Sequence, residues 1–523
     1  MILPPRLPAD LWLFVLPVGA VASALALTLL GFLAVPFPAS LVAVLLAGAG
    51  SAAYARWRLG PEDRMPGAWR SKYPIYYSLA AVSSLAGLDP PEAFVAFGAL
   101  LVVLTGIGFH LLARHMLGAT IEAGIVAMAM VGLAEQTLHL ALEPFYNQLW
   151  GTLALPFTLL AAWLYLTEPG RGTLALMASF LVVGSLAYPL LAPFTLAFIA
   201  VAAVLVRRGR APGERPGWVS ALRLPRGKGW VALGVALAAV AVPILVVLSV
   251  SAANKVVDGV AAALPGGDLG PWSGGALGFL SLARALGVSV LPVLTPVLLA
   301  AAIFALWRRP RDVAVPLAVT TGGLLLAAGY LRLRTGGELF VFKALGFGGV
   351  MVLGLAGVGL VEAARSPTRV RAAPAAAALG LVLAVVVLGA RGEIVDTAPH
   401  LTHELVDLRG WSDQLPDGAS VRVDIAAYGK QQWAWYMLAD RRVTSSAPLL
   451  GFFPYAPKGR KADYLIVDRH TGRPPDADGR ALHSNRAYVL YRMRRDVPGP
   501  DVASRRMIDP FVYNDRFRPG SGL

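Results

Sequence analysis

The sequence contains no cysteine, which excludes a disulfide framework, a thiolate-bound metal and a cysteine nucleophile. Charge is scarce as well: 15% of the 523 residues are Asp, Glu, Lys or Arg, against about 25% in an average soluble domain. Acidic residues are thinly spread between Ala93 and Ala390 and become frequent only after Arg391. There is no G-x-x-x-x-G-K-[ST], H-E-x-x-H or G-x-S-x-G motif, so ATP-driven transport, zinc proteolysis and serine hydrolysis have no support. What fills the chain instead is hydrophobic side chain, 56% of all residues, more apolar surface than a soluble core of this length can hide.

That surface is arranged in runs. A membrane-crossing helix needs about 20 mostly apolar residues, and such runs fall at 11–34, 39–57, 94–114, 119–135, 149–167, 171–188, 190–207, 229–251, 285–307, 313–330, 345–363 and 372–390. A second apolar run follows the first almost at once, with no small-residue cleavage site between, so the N-terminal run reads as a retained span and not as a signal peptide. Residues 73–88 are apolar but short and rich in Ser and Tyr. If they cross, there are about thirteen spans and the N-terminus is inside; if they lie in the interface, there are about twelve and it is outside. The fold class is therefore an α-helical polytopic membrane protein, with residues 1–390 as the multi-span domain.

The joints between runs alternate in charge. Arg114, Arg171, the series Arg207, Arg208, Arg210, Arg215, Arg223, Arg226 and Lys228, then Arg308, Arg309 and Arg311, and Arg365, Arg369 and Arg371 share one side. The other side has only Lys255, Arg284, Arg332, Arg334 and Lys343. Lys/Arg-rich joints stay in the cytoplasm, so the last span exits outward. The same asymmetry accounts for the net charge of +15 without nucleic acid as a partner.

After the last run the pattern changes. Ser420–Ile425 alternates as a strand, Gly429–Leu438 reads as a short amphipathic helix, and Ala462–Asp468 and Arg486–Met493 read as further strands. Residues 391–497 are expected to form a small α/β soluble domain outside the cytoplasmic membrane, and 498–523 a basic tail containing Pro and Gly.

The stretch Lys72-Tyr73-Pro74-Ile75-Tyr76-Tyr77, then Gly87-Leu88-Asp89-Pro90-Pro91-Glu92-Ala93, then Leu112-Ala113-Arg114-His115-Met116-Leu117-Gly118 resembles the early part of GT-C-fold glycosyltransferases. The pattern Trp433-Ala434-Trp435-Tyr436 before Ala462–Val467 is similar to the appended domain of some of them. The resemblance implies sugar transfer from a polyprenyl-phosphate donor to a glycan or lipid acceptor of the cell envelope, on the outer face. It also implies a carboxylate in the first long external loop that acts as base or helps bind a metal. The acidic pair in that place is Glu62-Asp63, whose loop is external only if 73–88 does not cross; otherwise Glu143 or Glu135 takes the role.

Such chemistry needs a base at the acceptor hydroxyl and cations at the leaving phosphate. Asp63, Glu62, Glu143 and Glu135 are the candidate bases. Arg332, Arg334 and Lys343, around Gly336-Gly337, are the candidate phosphate ligands, and Tyr146, Asn147 and Gln148 are candidates to meet acceptor or sugar. The alternatives are solvated loop charges for Glu135 and Glu143, packing for His139, and headgroup anchors for Arg332 and Arg334. With one nearby His and no second cluster, a divalent metal has no strong motif. A non-catalytic relative that binds glycan or scaffolds an envelope complex is the second functional reading. A transporter is the third, disfavoured because the chain shows no internal repeat. Because the charge alternation keeps one phase over so many joints, a topology reporter fused after Ala390 should report an extracytoplasmic position, and a cytoplasmic signal there would refute the arrangement.

Overall fold

The computed structural model describes residues 90–142, 145–209, 250, 252–267, 280–396, 402–425, 428–438, 441–444 and 462–494. They fall into two compact units, divided after Thr397. The first is helical: α1 (Pro90–Leu111), α2 (Ile121–Gly132), α3 (Glu135–Leu142), α4 (Tyr146–Thr167), α5 (Arg171–Ala187), α6 (Ala192–Arg208), the short α7 (Leu282–Ala285), α8 (Thr295–Trp307), α9 (Arg311–Arg332), α10 (Glu338–Ala364) and α11 (Arg369–Asp396). Among the described residues six helices are long and apolar enough to cross a membrane, and the bent pair α2–α3 makes a seventh if it counts as one span. The chain is thus a polytopic helical protein with a small C-terminal α/β domain.

The expected spans at 94–114, 149–167, 190–207, 313–330, 345–363 and 372–390 each correspond to a long helix. Two others differ. The run 119–135 does not continue straight: α2 stops at Gly132 and α3 sets off at 51° to it. The run 285–307 is helical only from Pro292, where a proline-led turn starts the segment Pro292–Trp307. The runs 11–34, 39–57 and 73–88, and all of 229–251 except Val250, lie outside the described residues.

Helix starts follow local chemistry. The Thr120 hydroxyl accepts from the Ala123 amide ahead of α2, and Ser281 does the same for Arg284 ahead of α7. Connections of three to five residues join α4 to α5, α8 to α9, α9 to α10 and α10 to α11, which makes those neighbours antiparallel.

At the centre lies α10, whose 18-residue apolar core is 94% buried, against 22% for α11. Its glycines allow this. A Cβ on Gly359 would stand 2.0 Å from the Ala301 carbonyl oxygen of α8, one on Gly357 2.9 Å from the Ala127 Cα of α2, and one on Gly354 2.3 Å from the Phe109 ring of α1. Lipid tails provide no hydrophobic drive between helices, so close backbone approach and dispersion must hold the bundle.

The second unit has α12 (His403–Asp413), β1 (Ser420–Asp424), α13 (Tyr428–Met437), β2 (Arg442–Thr444), β3 (Tyr464–Asp468), β4 (Ala477–Ser484) and β5 (Tyr488–Met493). The sheet order is β2-β1-β3-β5-β4. β1 is parallel to both neighbours and the β3–β5–β4 side is antiparallel. The three expected strands and the helix are present; β2, β4 and α12 are additional. β4 has almost no apolar alternation because all but one of its residues after Ala477 are exposed. Leu405, Leu408, Val421, Val423, Ile466 and Leu490 build the core, against which Trp433 packs. Buried Arg422 is ion-paired with Asp424 and Asp476.

The packing sets a prediction. Gly359→Val should lower the apparent melting temperature in detergent, by overpacking that costs about 1–3 kcal/mol. Gly380→Ala in α11, where a Cβ meets nothing within 4 Å, should be neutral or slightly stabilising. Equal melting of both variants would show that the α10 interface does not depend on glycine.

Candidate functional site

The break between α2 and α3 turns three polar side chains of one short helix into the bundle. Glu135, Gln136 and His139 are all buried, which excludes the alternative of Glu135 as a solvated loop charge. Gly287 passes close to Ala134 and Glu135 at the bend with φ +65°, a backbone conformation that any other residue would adopt only under strain.

Glu135 meets three elements. Its Oε1 accepts from the Ser289 hydroxyl at 2.6 Å and the Ser289 amide at 3.4 Å, and its Oε2 lies 3.5 Å from Arg284 Nε. Arg284 also reaches Glu393 of α11, Nη2 to Oε2 at 3.3 Å. The other oxygen of Glu393 lies 2.8 Å from His139 Nδ1, whose N–H donates when that carboxylate is ionised. Gly389 of α11 leaves the space that Glu135 needs, since a Cβ there would be 2.4 Å from its Oε1. One Arg thus bridges two carboxylates that are 3% and 6% exposed. Ionisable groups at such depth are costly and mark functional positions.

Beside this network, α3 and α4 meet the first turns of α10. Gln136 Nε2 donates to the Phe342 carbonyl at 2.8 Å and Gln148 Nε2 to the Lys343 carbonyl at 3.4 Å. The Lys343 ammonium lies 5.3 Å from the centre of the Tyr188 ring, a cation–π distance, and Tyr188 in turn packs on Phe347 with centroids 5.0 Å apart.

The sequence candidates therefore separate. Lys343 and Gln148 come together, and Glu135 belongs to the adjoining network. Tyr146 packs among Phe94 and Phe97, and Asn147 is half-buried. Arg332 is exposed, while Arg334 donates to the Gly267 carbonyl at 2.7 Å. Gly336, at φ +74°, and Gly337, whose amide bonds to the Arg334 carbonyl, close the turn between α9 and α10, so the Gly337 amide is committed within the chain. Glu62, Asp63 and Glu143 lie outside the described residues. Among the described residues no three metal-ligating side chains cluster.

Sequence reasoning missed Arg284, Ser289 and Glu393 as site residues, and Gln136 altogether. Glu393 does carry a signal, an acid placed a few residues beyond an apolar run that the helix continues through; Gln136 carries none.

Arg284→Met should destabilise the first unit, because it strands two buried carboxylates. Such loss costs about 3–5 kcal/mol for a fully buried pair, less here since the Arg284 side chain is 37% exposed. Adding Glu393→Gln should restore part of the melting temperature, and strictly additive effects would show that Arg284 does not couple to Glu393.

No protein-family model matches the chain, and no curated protein does. Among solved structures, it is similar to the arabinofuranosyltransferase AftD from Mycobacteria, at 18% identity and a TM-score of 0.42, over 82% of this chain and 35% of that one. It is also similar to ArnT from Cupriavidus metallidurans in the apo state, at 14% identity and a TM-score of 0.43, over 82% and 88%. The undecaprenyl-phosphate-bound ArnT matches at 15% and 0.40, over 81% and 88%. The chain thus spans about a third of the AftD chain and most of ArnT. Both neighbours are GT-C-fold glycosyltransferases, the family that residues 72–135 resemble.

Proposed function

We propose that the protein transfers a sugar from a polyprenyl-phosphate donor to a cell-envelope glycan or lipid acceptor at the outer membrane-water boundary. The observation that carries this reading is Lys343, a half-buried cation for which no carboxylate partner occurs among the described residues, set against two buried amides at one end of a helical bundle.

The end matters. Gln148 begins α4, Tyr188 follows α5, Lys343 is in the second turn of α10 and Glu393 is near the end of α11. The opposite ends of these antiparallel helices hold the Arg-rich joints at 171, 365, 369 and 371. Positive-inside asymmetry supports a cytoplasmic location for the latter and an outer location for the site.

In the reaction the acceptor oxygen bonds to the anomeric carbon, the bond from that carbon to the donor phosphate breaks, and polyprenyl phosphate leaves with the electron pair. The acceptor proton passes to a carboxylate. Lys343 stabilises the charge that grows on the departing phosphate, an effect strengthened where water is excluded. Both oxygens of Glu135 are already engaged, Oε1 by Ser289 and Oε2 by Arg284, which suits it to positioning the 281–291 segment. The base is assigned to the remaining sequence candidates, Glu143 in the joint between α3 and α4 or the pair Glu62-Asp63. A non-catalytic glycan-binding relative would share the phosphate site without a base.

The test uses undecaprenyl phosphate as ligand. Lys343→Met should bind it at least about tenfold more weakly than the unmodified protein, consistent with loss of a charge-assisted contact. Glu143→Gln, or Asp63→Asn if the 59–72 loop is external, should keep binding and lose about 10² to 10⁴ in transfer rate. Unchanged lipid binding by Lys343→Met would overturn the assignment. Binding without transfer by the unmodified protein, across the polyprenyl-phosphate sugars offered, would favour the non-catalytic reading.

A further inference from the structure

The two amides beside Lys343 have a fixed orientation. Each presents its Nε2 to a main-chain carbonyl of α10, Gln136 to Phe342 and Gln148 to Lys343. Flipping either amide would set oxygen against oxygen, so the assignment follows from the bonding and not from the density of atoms around it. The Oε1 of each then points elsewhere. Neither oxygen has a hydrogen-bond partner among the described residues, although Gln136 and Gln148 are each only 1% exposed. The Tyr188 hydroxyl, on the ring that faces Lys343, is in the same condition.

Buried acceptors without donors are rare in native proteins and call for an explanation. Here the chain also makes room for them. Gly346 lies one helical turn beyond Phe342, and a Cβ on it would fall 2.4 Å from Gln148 Nε2 and 2.8 Å from Gln136 Nε2. A side chain at 346 would force the ends of both glutamines to shift. Two elements separated in sequence from α10 thus deliver matched amides to one glycine.

We propose that Gln136 and Gln148 read the sugar of the donor, their Oε1 atoms accepting hydrogen bonds from two hydroxyls of the glycosyl group while Lys343 holds its phosphate. This rests on the transferase reading above and adds to it a sugar-recognition element. The ligand must donate, because both free atoms only accept. A cation would also satisfy them, but the Lys343 ammonium on the same turn of α10 repels one, whereas a neutral polyol attached to a phosphate is attracted as a whole. A site built this way discriminates by leaving its own acceptors unpaired when a hydroxyl is missing, a mechanism that can reject a deoxy analogue by about 10⁴-fold or more.

The experiment compares binding of bare undecaprenyl phosphate with undecaprenyl phosphate carrying glucose, mannose or arabinose, in nanodiscs. The proteins are the unmodified chain, Gln136→Met, Gln148→Met and Gly346→Ala. Methionine is close in length to glutamine and removes only the amide; the alanine displaces both amides while leaving them in place chemically. The unmodified protein should prefer at least one glycosylated lipid over the bare lipid by about tenfold or more. Each variant should lose most of that preference and keep its affinity for the bare lipid. A preference that survives in both methionine variants overturns the inference, as does an equal fall in affinity for bare and glycosylated lipid, which would mark the amides as structural. Binding of bare lipid with no preference in the unmodified protein overturns the sugar assignment but leaves the phosphate site standing. Failure of the unmodified protein to bind any of these lipids removes the transferase reading and this inference with it.

Discussion

The close backbone approach along Glu338–Ala364 is the constraint on which the rest of the first unit depends. Within a bilayer the spans gain little from hiding apolar surface from one another, so they must touch over as many atoms as possible. Gly354, Gly357 and Gly359 remove the side chains that would hold α1, α2 and α8 away from α10. Near the start of the same helix, Gly346 and Gly349 do the same for the amides of Gln136 and Gln148 and for the Ala285 carbonyl of α7. Packing and site are therefore two uses of one device. A mostly apolar helix becomes the axis of the bundle, and its glycine-bearing first turns receive the two amides.

The buried charges follow from that axis. Glu135 and Glu393 come from helices that α10 holds in place, and Arg284 comes from the short α7 seated against Gly349. Taking two carboxylates out of water is unfavourable by several kcal/mol each unless their oxygens are matched. Ser289, Arg284 and His139 supply those matches. The network ties the segment before α8 to the bend between α2 and α3 and to the end of α11. Its polar cohesion is well suited to a place where irregular backbone lies near the membrane, since such backbone is tolerated only when its groups are satisfied by protein or water.

The proposed function rests on what the network leaves over. Arg284 is consumed by carboxylates and Arg334 by the Gly267 carbonyl. Lys343 shares its turn of α10 with two amides and faces an aromatic ring. A cation beside neutral hydrogen-bonding groups, at the end of the bundle away from the Arg-rich joints, has the chemistry to hold a phosphorylated lipid whose sugar remains to be read. In the C-terminal unit the same logic of matched burial appears at Arg422, which sits between Asp424 and Asp476 beneath a mixed sheet.

The sequence by itself determined the class of the protein, most of the described spans and three of the five strands. Those features are written as continuous signals, an apolar run as long as a bilayer is thick or an alternation at period two, and each is legible within one segment. It also marked Lys343 and Glu135 as unusual, because a charge next to a span is conspicuous against an apolar background. Tertiary structure decided the rest. The break after Gly132 leaves no mark in the apolar pattern, so run 119–135 looks straight when read alone. Gln136 and Gln148 are ordinary polar residues until α10, some 200 positions later in the chain, brings Phe342 and Lys343 against them. His139 finds Glu393 across 254 positions. No local pattern can record such pairings, because what makes an amide or a carboxylate part of a site is the partner it meets and the water it loses, and both are properties of the folded chain.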